Sequence, residues 1–118
     1  MTERTITISG KEVKFRSSAA VPRLYRCRFG RDIFKDLGAL ERSFNANKGK
    51  KNSGLEIADI EVFENIAYIM ARHADPGVPD SIDDWLEQFE MFSIYEILPA
   101  ILELWNVNTK TDVVPKKK

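Results

Sequence analysis

The sequence predicts a mainly α protein: a small helical domain of about four to five helices, entered through an N-terminal β-hairpin and closed by a disordered basic tail. Three observations carry that expectation. Apolar and polar residues alternate only near the N-terminus, where RTITI and EVKFR flank SGK. From there to Trp105 the apolar residues recur at helical spacing, and beyond Asn108 the periodicity stops. A chain of 118 residues and 13.5 kDa is the size of one ordinary domain. Residues 1–108 are expected to form it and residues 109–118 the tail.

The hairpin is placed at about residues 4–16, because period-two alternation about a short Gly-containing turn is the signature of paired strands. Ile6 and Ile8 share a face with Val13 and Phe15 opposite, and the pair needs helices to lie on. Two helices follow in SSAAVPRLYRCRFGRDIFKDLGALERSFNANKGKKNSG. Leu24 and Cys27 mark the buried side of the first. Ile33, Phe34, Leu37, Leu40 and Phe44 mark that of the second. Pro22 belongs near a helix start, Gly30 can end the first helix, and Asp32 suits the positive end of the next.

NANKGKKNSG reads as a polar loop. Ser53 with Glu56 is a capping box opening a third helix, whose face is Ile57, Ile60, Phe63, Ala67 and Met70, widened by Val62, Ile66 and Ile69. Two Pro and one Gly in HADPGVPD stop it. Ser81, Asp83 and Asp84 open a fourth helix; a break near residues 91–93, with Ser93 and Glu96 as a second capping box, starts a fifth that Pro99 should kink. NVNTKTDVVPKKK has the composition of a disordered tail.

Formal net charge is zero, but residues 1–54 carry 13 Lys and Arg against 5 acids, while residues 55–108 carry 1 against 12. Either the halves face one another or each presents a field to a partner. No apolar run approaches the roughly 18 residues of a membrane helix, and MTERTITISG has no apolar core behind a basic stretch, so a cytoplasmic protein is expected. Lone Cys27 reads as a buried small hydrophobe.

Catalytic patterns are not found. His73 is a single histidine at a helix end, and Asp83, Asp84 and Glu87 are ordinary acids for a helix's first turn. Neither enzyme, cofactor nor metal is expected. PRLYRCRFGR interleaves Arg23, Arg26, Arg28 and Arg31 with Tyr25 and Phe29, as nucleic-acid platforms do. The acidic second half and a pI near 6.6 weigh against that use.

The order of hairpin, SSAAVPRLYRCRFGRD, basic loop, acidic helix and WLEQFEMFSIYEILPAILELW resembles the tail assembly chaperones of long-tailed bacteriophages and prophages of Gram-positive bacteria. The resemblance covers residues 1 to about 108. Tyr25, Arg26, Phe29, Gly30, Asp32 and residues 85–105 carry most of it. It implies a mostly helical, non-enzymatic factor of the host cytoplasm, absent from the mature virion. Such a factor binds the tape measure protein, keeps it soluble and promotes tail tube polymerisation around it. The major tail tube protein and a second copy of the chain are further partners to expect; nucleic acid and membrane are not. In this family ribosomal slippage near the gene's end gives a longer product, and residues 116–118 sit where slippery codons would lie. The alternative is a small nucleic-acid-binding or regulatory phage protein using residues 23–31.

Within that expectation residues 85–105, aromatic and formally acidic throughout, are the candidate partner surface. Trp85, Phe89, Phe92, Tyr95 and Trp105 are its anchors. Glu87, Glu90 and Glu96 are its soluble, steering rim.

Overall fold

The computed structural model describes residues 2–46, 57–92 and 94–113. Two strands, β1 (Thr2–Ile8) and β2 (Lys11–Ser17), pair antiparallel, with Ile8 opposite Lys11 and Ile6 opposite Val13. The turn between them is Ser9 and Gly10, both at positive φ (51° and 82°), the two-residue type I′ geometry that matches strand twist. Ile8 and Phe15 point inward and are buried. The polar face of the hairpin carries Glu12, Lys14 and an Arg16–Glu3 ion pair across the strands.

Five helices follow among the described residues: α1 (Val21–Phe29), α2 (Ile33–Ala46), α3 (Ile57–Ala74), α4 (Ile82–Leu86) and α5 (Ile94–Val113). Short-range chemistry sets their ends. Pro22 sits in the first turn of α1, and Gly30 caps it at φ 69°, its N–H donating to the Arg26 carbonyl at 2.8 Å. Asp32 Oδ1 accepts from the Phe34 N–H at 2.9 Å, capping α2, and Ser81 Oγ accepts from the Asp84 N–H at 3.3 Å, capping α4. Both Ser53 and Ser93, proposed caps of α3 and α5, lie outside the described residues.

Helix α3 is the centre. Every side chain from Ile66 through Ala71 is buried, because α1, α2, α5 and the inner face of β2 all pack around it. Helix α5 lies against both strands and α3, so two of its sides are covered. Ile94, Ile97, Leu98, Ile101, Leu102, Leu104 and Trp105 are all buried. Pro99 falls on its exposed side. Among the described residues no helix is long and apolar enough to cross a membrane.

The structure overturns the expected class at its C-terminus. Residues 109–113, assigned to a disordered tail, continue α5 to Val113. Propagating an existing helix costs far less than nucleating one, and the buried first three turns of α5 supply the nucleus that NVNTKTDV lacks by itself. Residues 114–118 lie outside the described residues.

The buried face of α1 also differs from the expected one. Val21 and Tyr25 are buried; Cys27 is exposed and Leu24 is 38% exposed. Phe34 on α2, expected in the core, is 59% exposed, with its ring 5.3 Å from Trp105, and Ile60 on α3 is 40% exposed.

Candidate functional site

Trp85, Phe89 and Trp105, three of the five candidate anchors in residues 85–105, supply core rather than surface. Trp85 is 2% exposed and makes edge-on contacts with Tyr68, Phe89 and Phe92 at centroid distances of 5.6, 5.4 and 5.3 Å. Phe92, half-buried, continues the cluster to Phe63 at 5.2 Å. Phe89 and Trp105 are also buried. The reason is that α4 is only five residues long and the chain after it is irregular, so successive aromatic residues are delivered into one pocket rather than around a helix. The Tyr95 side chain lies outside the described residues. Glu87, Glu90 and Glu96 are exposed, as a rim would be, but Trp85, Phe89 and Trp105 among the aromatics they were to surround face inward. Half-buried Glu64 has its carboxyl raised by burial and then by Glu61 and Asp83, so the acidic half repels itself locally. Among the described residues no three ligating groups converge to hold a metal ion.

The basic segment divides in two. Arg31 grips Asp36 with two parallel bonds, Nε to Oδ2 at 2.6 Å and Nη2 to Oδ1 at 2.8 Å, and the buried Tyr25 hydroxyl donates to the same carboxylate at 2.7 Å. This three-way lock joins α1 to α2. Arg31 holds the Asp36 carboxyl below the usual range against the opposing effect of burial; burial first, then Asp36, pushes the Tyr25 phenol far up. Arg28 donates to the Asp80 carbonyl and lies over the Tyr68 ring at 4.9 Å. Arg23 and Arg26 are exposed. With Tyr25 fully buried and Phe29 half-buried against it, the segment offers no open aromatic face on which a base could stack.

What α1 does expose is one wall of a groove. Leu24, Cys27 and Arg28, at i, i+3 and i+4, line it together with Ile69, Arg72 and His73 of α3 and with Pro76. The space is about 460 Å³ and its lining is mainly apolar. Its polar members are held in place. Arg72 donates to the Val78 carbonyl at 2.8 Å and pairs with Asp80 at 2.6 Å. His73 Nε2 lies 2.9 Å from Ser18 Oγ. Burial, followed by the nearby Arg16 charge, lowers the His73 pKa and favours the neutral ring.

Reading α1 by its apolar residues alone missed this groove, since Leu24 and Cys27 pass for core. The available signal was Tyr25 with Asp36 eleven residues on: a buried tyrosine needs a partner for its hydroxyl, and that puts Leu24 on another face.

Among the described residues, ion pairs form both between the charge halves and within them. Arg4–Glu103 joins them, whereas Arg16–Glu3, Arg31–Asp36 and Arg72–Asp80 each stay within one half. No family model, curated protein or solved structure matches the chain.

Proposed function

We propose that the chain is a non-enzymatic tail assembly chaperone of a long-tailed bacteriophage or prophage. In the host bacterial cytoplasm it binds the tape measure protein, keeps it soluble while tail tube subunits polymerise around it, and leaves before the virion is complete. The resemblance carried by Tyr25, Arg26, Phe29, Gly30 and Asp32 motivates this reading. The observation that supports it is the open apolar groove between α1 and α3, with Leu24 38% exposed at its lip.

Two helices side by side leave a trough into which a third, amphipathic helix lays apolar side chains spaced at i, i+3 and i+4. Arg28 borders the trough and Arg23 stands on the same helix, so the helix that fits best carries acids along one flank. The buried aromatics of residues 85–105 then serve as scaffold, holding α3 under the groove through the Tyr68–Trp85 contact.

Cys27 makes the test direct, because it is the chain's one cysteine and lines the groove. A co-expressed helical fragment of the tape measure protein is expected to remain soluble with the wild-type chain and to slow Cys27 alkylation severalfold. Leu24→Glu should keep its melting temperature and lose both effects. Soluble complex with undiminished alkylation would remove the groove from the proposal; a fragment that precipitates with abundant wild-type chain would remove the chaperone.

A further inference from the structure

The hairpin leaves one strand edge whose chemistry is self-complementary. The closing pair beside the Ser9–Gly10 turn is Ile8 with Lys11, and antiparallel bonding then alternates along the ladder. Lys11, Val13, Phe15 and Ser17 direct their N–H and C=O groups to β1. Those of Glu12, Lys14 and Arg16 point the other way, to an edge that no strand pairs among the described residues. A cleft of about 370 Å³ runs beside residues 11–14, with Val78, Trp85, Gln88 and Phe89 among its other walls, and Glu12 and Lys14 are exposed along it.

We infer that β2 pairs with β2 of a second copy of this chain, antiparallel and centred on Val13, to give a four-stranded sheet across a twofold axis. The register follows from the residues. Centring on Val13 sets Glu12 opposite the second copy's Lys14, and Lys14 opposite its Glu12. Both are outward-bonding positions, so the hydrogen bonds and the charges are satisfied by one alignment. Centring on Glu12 sets the two Glu12 side chains face to face; centring on Lys14 sets the two Lys14 face to face and offers Glu12 an Arg16 that Glu3 already holds. Glu12 and Lys14 are exposed, and neither has an ion-pair partner among the described residues; Arg16, by contrast, is already held by Glu3. An edge guarded against pairing would carry one sign of charge or a proline, not an alternation that complements its own reverse. The interface is isologous, as twofold dimers require.

The inference is independent of the groove and of its helical partner. Sedimentation equilibrium of the full chain over a wide concentration range should show monomer and dimer. Glu12→Lys alone and Lys14→Glu alone each set like charges opposite one another and should weaken the dimer by about tenfold or more. Mixing the two variants restores complementarity and should give a heterodimer tighter than either homodimer. Lys14→Pro, which removes an outward N–H without touching the β1 ladder, should fold as a monomer. Amide exchange should slow at Glu12, Lys14 and Arg16 as concentration rises. A wild-type chain monomeric throughout, or a dimer indifferent to the charge exchange, overturns the proposal. Protection of those amides only on adding a foreign extended peptide would assign the edge to another protein and overturn it equally.

Discussion

The Trp85 cluster and the α1–α3 groove use the same central helix in opposite ways. Tyr68 of α3 turns into the cluster, where buried Trp85 and Phe89 meet half-buried Phe92; Ile69, Arg72 and His73, on the next side of the same helix, line an open trough with Leu24 at its lip. The richer sequence is the closed region and the plainer one is open. Aromatic density measures how much a segment can bury, not whether anything is left uncovered, and the second question depends on how many neighbours the fold places around it. Residues 85–105 look overloaded for one helix face, yet α5 alone is covered by two strands and α3.

The largest effect that can break this comparison is Trp85→Ala. If Trp85 is scaffold, truncation removes its contacts to Tyr68, Phe89 and Phe92 and should cost roughly 3–5 kcal/mol, enough to unfold much of a small domain. Chemical denaturation of the variant checks it. A loss below about 1 kcal/mol, smaller than a core truncation gives, would mean that Trp85 is a binding residue after all.

Next in size is the lock between α1 and α2. Asp36→Asn keeps the shape but removes the charge that Arg31 and the Tyr25 hydroxyl both address, and should cost about 1–3 kcal/mol, typical of a buried polar group left poorly paired. The pH dependence sharpens the point. The carboxyl's pKa is lowered in the fold, so its contribution is fully present above the unfolded value of about 3.9 and is lost as pH falls through the folded one. Melting temperatures followed down to strongly acidic pH should fall less steeply in Asp36→Asn than in the wild-type chain. Parallel profiles would show that Arg31 holds Asp36 only loosely.

These two cases also show what could be read in advance. The Ser9–Gly10 turn, the Gly30 stop and the Asp32 and Ser81 caps all fall where short-range patterns put them, since each depends on atoms a few residues apart. The helical continuation through residues 109–113 was not legible, because its nucleus is the buried stretch before it and not its own composition. Nor was the face of α1. Leu24 and Tyr25 are adjacent and both apolar enough to bury, and only the distant Asp36 decides between them. Trp85, Phe89 and Trp105, proposed as anchors, are buried for a tertiary reason as well. Nothing within residues 85–105 states that α3 and the hairpin will enclose them.

The smallest effect belongs to the groove's far wall. His73 is half-buried, and burial together with Arg16 lowers its pKa. Ser18 Oγ already accepts the Ala20 N–H at 3.2 Å, which leaves its own proton free to point at Nε2, a bond that requires the neutral ring. The sign follows from that depression: the unfolded chain takes up the proton first, so the neutral ring's contribution is present above about 6.5, the ordinary value, and is lost as pH falls through the folded value. His73→Gln should flatten the fall in melting temperature as pH drops below about 6.5, while changing it little at pH 8. Because His73 lines the trough beside Ile69, the same substitution should leave Cys27 alkylation in the free chain unchanged while the groove stays intact. A large loss of stability at pH 8 would instead make the Ser18–His73 contact a support of the hairpin-to-α1 connection, and the groove wall would then belong to the rigid part of the molecule, with the Trp85 cluster.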